Sequence, residues 1–287
     1  GLPRLIYISG KRHSTSTHLR DNLSSRNPRG ECPEVQNQPS PHPLIAMLRT
    51  TVRLPVRSLP QPEETTCGPT CLHAMYNYWG KTEPLKSVII RTRKLESGSG
   101  TFAVFLGCDA LRNGFQATIY TYNLMMFDPT WFAPGMDIAE RLRQQRELKR
   151  EPRLWHATEG YLEFLRLGGR LRLTDLSQSL VHGLLRRGLP ILTGLSSTYL
   201  YRAAREYGPD DTPDDIRGFP AGHFVVLTGY DRRKRTVLVA DPYGPFQEYW
   251  CNIDRVLGAV LLGIVTHDAN LLVIHSRGHQ DHPDEGG

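Results

Sequence analysis

Residues 222–241, GHFVVLTGYDRRKRTVLVAD, constrain the fold more than any other stretch of this chain. Residues 224–228 and 236–240 have the β-branched and aromatic content of strands. Residues 229–231 and the basic run RRKR between them supply the turn, so the stretch predicts an antiparallel hairpin. His223 starts one strand and Asp241 ends the next, and a hairpin brings the two back to nearly the same level although 18 residues separate them. A carboxylate there accepts from one imidazole nitrogen and leaves the other to take a proton. Gly222 is expected to leave the front of His223 open. His223 is the only one of the 11 histidines so placed; His73, His182, His267, His275, His279 and His282 read as structural or solvated.

The second constraint is residues 61–80, QPEETTCGPTCLHAMYNYWG. Thr65 and Thr66 suit a helix cap, which makes Cys67 the first helical residue. Gly68 leaves space beside it, and Pro69 is tolerated because first-turn amides have no intrahelical partner. Leu72, Met75, Tyr76 and Trp79 fall at helical spacing, with Gly80 as the stop. A thiol at such a helix start feels the positive end of the dipole, which favours the nucleophilic thiolate. Gln61, six residues upstream, can present a side-chain amide to a developing oxyanion together with the amide of Cys67. Taken alone, Cys67 reads as a buried helix cysteine. Gln61 upstream and the His223–Asp241 pair downstream favour the reactive reading.

A length of 287 residues suits one large domain or two small ones, and 39% apolar with 22% charged residues suits a soluble globular chain. No apolar run approaches the ~18 residues of a membrane helix, and no secretory signal peptide is visible. The five cysteines, Cys32, Cys67, Cys71, Cys108 and Cys251, are odd in number and widely scattered. They argue against a disulfide framework and for a reducing, cytoplasmic setting. Cys67 and Cys71 are one turn apart, but no second Cys/His pair stands at zinc-ligand spacing, so no metal site is expected, and no cofactor. The acidic run 206–215 lacks the spacing of a calcium-binding EF-hand. Of the net charge of +6, residues 1–50 hold +4, from seven Lys/Arg against three Asp/Glu. The remainder is therefore not expected to present a nucleic-acid surface.

In chain order, residues 1–50 are rich in Ser, Asn, Arg and Pro, with Tyr7 the only aromatic, and read as disordered or loosely attached. Residues 51–60 read as an edge strand broken by prolines that delivers the chain to Gln61. Helices are predicted over 83–95, 102–111, 138–149, 156–167, 176–187 (capped by Thr174 or Asp175) and 254–262. Strands are predicted over 116–122, 190–195 and 270–275. A Gly-Ser-Gly loop is expected at 98–100. Residues 196–220, with Tyr199 and Tyr201, read as a long lid or binding loop. Tyr120, Tyr122, Trp131 and Phe132 read as core or rim packing, or as walls of a substrate groove. Residues 277–287 read as a polar tail.

Gln, five residues, then Cys-Gly resembles the arrangement of papain-like cysteine peptidases. CGPTCLHAMYNYWG, GHFVVLTGYD and VLVADPYG, in the order Gln, Cys, His, Asp, resemble the C39-like peptidases, relatives of the bacterial peptidases that cut leader peptides. The resemblance covers residues 55–80 and 188–250. It implies an α+β, papain-like fold with an N-terminal catalytic helix packed on an antiparallel sheet. It also implies Cys67 as nucleophile, His223 as base then acid, Asp241 as its orienter, Gln61 in the oxyanion hole, and a peptide or protein substrate. The sequence departs from the leader peptidases in two ways. Their transporter segments are not seen, and 156 residues separate Cys67 from His223, which makes residues 81–187 a helical insertion in a peptidase domain spanning 51–276. The same four residues serve acyl transfer to an amine, and a non-catalytic peptide-binding module on the same fold is the other alternative.

Overall fold

Helix α1, Cys67–Tyr78, is buried continuously from Cys67 to Tyr76. A helix apolar on nearly every side must be surrounded by other elements. It packs against strand β7, Gly222–Asp231, the longest strand of the sheet. Gly68 permits the approach: a Cβ there would lie 2.8 Å from Thr101 Cγ2 and 3.3 Å from the Phe224 ring. The far end stops where the sequence says. Gly80 takes φ +80°, its amide donates to the Asn77 carbonyl at 3.1 Å, and the Lys81 amide donates to the Tyr76 carbonyl at 2.9 Å. These two bonds satisfy carbonyls that the last turn leaves open.

The computed structural model describes residues 50–95, 100–243, 247–263 and 268–278, which belong to one unit. The readings made for residues 1–49, 98–99, His267 and the tail from 279 onward lie outside them. The main sheet runs in the order β3–β2–β10–β4–β7–β8–β9, built from β2 (Gln116–Thr121), β3 (Arg170–Arg172), β4 (Ile191–Ser196), β8 (Thr236–Ala240), β9 (Glu248–Asn252) and β10 (Asn270–His275) around β7. Only the β2–β3 pair is parallel. On one side of β7, β4 pairs with residues 222–227 and the short β1 (Thr51–Arg53) with residues 229–231. On the other side, β8 completes the expected hairpin, with a register shift between Leu227 and Gly229. The α+β class expected from the sequence holds: a helix that opens on Cys67 lies on a mostly antiparallel sheet.

Residues 81–187 bring helices α2 (Leu85–Arg91), α3 (Ala103–Arg112), α4 (Ile138–Leu148), α5 (Pro152–Arg166) and α6 (Gln178–Arg186). They also contribute β2 and β3 to the main sheet, so this stretch is not separate from the core. Helix α3 is almost wholly buried and packs on β2 and β10. The Phe127 ring collects Trp131, Phe132 and Tyr161 edge-on around it.

Several boundaries differ from those the sequence suggests. The opening strand covers only Thr51–Arg53, with one more bond from the Leu54 amide to the Thr228 carbonyl at 2.7 Å before Pro55. Helix α2 starts after Pro84, an extended residue, and stops before Thr92, also extended. Helix α5 starts four residues earlier than expected, with Pro152 at its first position. Helix α6 is capped by Ser177, whose Oγ accepts from the Leu180 amide, rather than by Thr174 or Asp175. The stretch 196–220 contains a short helix, α7 (Ser197–Tyr201), and a ribbon of β5 (Glu206–Tyr207) with β6 (Thr212–Pro213). The last helix, α8 (Ile253–Leu262), packs on β4.

Candidate active site

Cys67 is the first residue of α1 and keeps 1% of its surface exposed. The turn before it, Glu64–Thr66, is held by Thr66, whose hydroxyl donates to the Glu63 carbonyl at 2.6 Å and accepts from the Glu63 amide at 3.1 Å. Thr66 thus sits at the cap position but spends its hydroxyl on the preceding turn. Thr70 clamps the first turn of α1 by donating to the Thr66 carbonyl at 2.7 Å. Because Gly68 lies on the Phe224 ring, the start of α1 comes to rest beside residue 223 of the same strand.

The hairpin register pairs Val226 with Ala240, so Asp241 leaves β8 diagonally across from His223. His223 Nε2 lies 2.8 Å from Asp241 Oδ1, with both side chains buried. The carboxylate has three further donors. The Tyr243 amide donates to Oδ1 at 2.9 Å, and the hydroxyls of Tyr201 and Tyr249 donate to Oδ2 at 2.6 and 2.9 Å. Four donors compensate a carboxylate that has no exposed surface.

The electrostatics follow from this packing. Burial alone would lower the His223 pKa, but the Asp241 charge and hydrogen bond outweigh it, and Cys67 adds a further hydrogen bond and charge interaction, so it is pushed up to about 10. Burial pushes Asp241 upward, yet the His223 charge and the bonds from His223, Tyr201 and Tyr243 bring it below its ordinary value. The pair is therefore imidazolium and carboxylate at neutral pH. Burial and the Asp241 charge push Tyr201 and Tyr249 well up, which keeps both as hydroxyl donors. Nε2 is committed to Asp241, which leaves Nδ1 as the ring nitrogen for Cys67.

The other described thiols differ. Cys71, one turn along α1, donates to the Phe224 carbonyl at 3.3 Å, and burial, then Cys67 and Asp241, push its pKa well up. Burial pushes Cys108 up to about 12. Cys251 is raised by burial as well.

Gln61 is tied to the same region through its backbone, whose amide donates to the Pro242 carbonyl at 2.8 Å, one residue after Asp241. Its side chain points inward to the turn: Nε2 donates to the Glu64 carbonyl at 3.3 Å, and Oε1 is buried without a partner. The structure thus brings Cys67, His223 and Asp241 together and sets Gln61 next to them with its amide engaged by Glu64. Sequence reasoning missed Tyr201 and Tyr249. They lie 40 and 8 residues from Asp241, and the only signal was a tyrosine in a loop read as a lid. Among the described residues no group of three or more His, Cys, Asp or Glu is placed to hold a metal, and no helix is long and apolar enough to cross a membrane.

The family model described as "Peptidase_C39 like family" matches residues 158–256. That stretch contains His223 and Asp241, while Gln61 and Cys67 lie ahead of it. No curated protein matches the sequence. Among solved structures, the chain is similar to the peptidase domain of Streptococcus ComA, a bifunctional ABC transporter involved in quorum sensing (11% identity, TM-score 0.39, covering 77% of this chain and 99% of that one). It is also similar to xylellain, a cysteine protease from Xylella fastidiosa (15% identity, TM-score 0.42, covering 85% and 94%). A third is a double glycine motif protease from an AMS/PCAT transporter, solved with its leader peptide (14% identity, TM-score 0.38, covering 78% and 93%).

Proposed function

We propose that this chain, C39-like over residues 158–256, is a cysteine-type peptidase that cuts a peptide or protein substrate with Cys67, His223, Asp241 and Gln61. The observation that carries the reading is the buried His223–Asp241 pair, Nε2 to Oδ1 at 2.8 Å, set beside a cysteine at a helix start. His223 Nδ1 already carries the proton that Cys67 gives up, so the sulfur works as one half of an ion pair, and Asp241 stabilises the imidazolium half. The Cys67 sulfur attacks the scissile carbonyl carbon. Gln61 Nε2 exchanges the Glu64 carbonyl for the oxyanion, joined by the Cys67 amide. As the tetrahedral intermediate collapses, His223 gives its proton to the leaving amine, and the acyl group stays on Cys67 as a thioester. Water then attacks the thioester with His223 as base, which releases the carboxylic acid and restores the thiol. The free thiols of the described residues suit a reducing, cytoplasmic setting.

The test is digestion of a proteome-derived peptide mixture, with new termini read by mass spectrometry. Wild type is expected to generate termini that are absent with Cys67→Ala and nearly absent with His223→Ala. Termini that persist in Cys67→Ala would remove Cys67 from the chemistry, and their absence from wild type would remove the activity. Adding an ordinary primary amine such as glycinamide separates hydrolysis from acyl transfer, since only acyl transfer puts the amine on the new C-terminus as the main product.

A further inference from the structure

Beside the His223 end of β7 the chain builds a cavity of about 420 Å³. Ser196, Thr198 and Tyr199 form part of its wall, and Arg202, Arg205 and Arg255 line it from the end of α7, the residues that follow, and the first turn of α8. No Asp or Glu is among its lining residues. Arg205 is fixed in place: its guanidinium donates to the carbonyls of Asp215 at 2.5 Å and Ile216 at 3.3 Å. The backbone packs so closely behind it that a Cβ on Gly218 would lie 2.6 Å from the Arg205 carbonyl carbon. Arg202 follows α7 at φ +54°, a left-handed residue set by the helix end. Among the described residues neither Arg202 nor Arg255 has an ion-pair partner.

Three arginines line one cavity, and the planar fork of a guanidinium matches the two oxygens of a carboxylate or phosphate. Two connections link the cavity lining to the triad. Ser196 pairs with Gly222, one residue from His223, and α7 carries the Tyr201 hydroxyl that donates to Asp241. We propose that this cavity is an oxyanion site that receives the side-chain carboxylate of an Asp or Glu in the peptide substrate, so that an acidic residue near the cut determines specificity. The substrate half of this proposal rests on the peptidase reading; the anion site itself does not. A free phosphate offers the same chemistry, and the experiment separates the two sources.

Calorimetric titration of the full chain with inorganic phosphate reads the cavity without any catalysis. Wild type and Cys67→Ala are expected to bind alike. Arg202→Gln and Arg255→Gln are each expected to bind about tenfold more weakly, the loss of one charge-assisted bond. Digestion of the peptide mixture reads the source: Asp or Glu is enriched at one position near the cut for wild type and not for Arg202→Gln, while neutral peptides are still cut. Absent phosphate binding, or equal binding by the arginine variants, overturns the site. Phosphate binding without acidic enrichment overturns the substrate carboxylate as its ligand and leaves a free-anion site. Phosphate binding by a wild type that cuts nothing overturns the peptidase reading and, with it, the substrate half alone.

Discussion

Replacing Asp241 by Asn removes one charge and keeps the shape of the side chain. The Asn carbonyl still accepts from His223 Nε2 and the Tyr243 amide, and its NH2 group meets the Tyr201 and Tyr249 hydroxyls, whose lone pairs can accept. What disappears is the charge that outweighs burial at His223 and holds its pKa at about 10. Without that charge, burial keeps the imidazole neutral at pH 7, and Cys67 loses the cation beside it. An unassisted cysteine is only a few per cent thiolate at neutral pH. Iodoacetamide alkylation of Cys67 at pH 7 is therefore expected to fall by roughly 10- to 30-fold. Stability carries a matching signature. His223 is raised from 6.5 to about 10, so its contribution is whole below 6.5 and is lost as pH rises through 10. Thermal stability of wild type should decline over that interval, and that of Asp241→Asn should decline less. Superimposable alkylation curves for the two proteins would refute the reasoning, because they would mean that Asp241 does not govern the charge beside Cys67.

Gln61→Ala is expected to lower kcat by about 100- to 1,000-fold, the loss of one oxyanion donor, with the melting temperature nearly unchanged because the bond it gives up, to the Glu64 carbonyl, is long at 3.3 Å. Steady-state kinetics on a peptide found by digestion decides this, and an unchanged rate would make Gln61 a purely structural residue. Tyr201→Phe leaves Asp241 Oδ2 with Tyr249 alone and should cost about 1–3 kcal/mol in denaturant unfolding. It should also shift the alkylation curve in the direction of Asp241→Asn; a stability loss with an unmoved curve would show that Tyr201 only packs. Gly68→Ala forces a methyl to 2.8 Å from Thr101 and 3.3 Å from Leu106 and Phe224, which should cost about 1–3 kcal/mol by overpacking and move α1 off β7. Unchanged stability and unchanged Cys67 reactivity would show that the helix start tolerates the crowding.

The parts of the site that were legible in the sequence were set by local rules. Cys67 opens a helix because Thr66, Pro69 and Gly80 punctuate it, and Gly80 takes the left-handed conformation that such a stop requires. His223 meets Asp241 because two β runs joined by a short turn have one register that buries both. What was not legible depends on contacts distant in sequence or on segments too short to show a period. β9 alternates exposed and half-buried residues at the sheet edge, so EYWCN carries no apolar run to announce it. β3 has three residues and a single half-buried Leu171. α7 has five residues, and its Tyr201 reaches Asp241 only because β4 and β7 pair on either side of the intervening chain. The resting direction of the Gln61 amide is equally invisible, since it is decided by the Glu64 carbonyl of a short turn.

The central claim is that a peptide carbonyl is delivered to Cys67 and to no other thiol. Its most direct test is a peptidyl vinyl sulfone, an electrophile that needs both binding and an activated sulfur, with the adduct mapped by mass spectrometry after limited reaction. The account predicts one adduct, on Cys67, much slower to form in His223→Ala, while Cys71, Cys108 and Cys251 stay unmodified because burial holds all three as thiols. An adduct on one of those three ahead of Cys67, or equal labelling of Cys67 in wild type and His223→Ala, would contradict it.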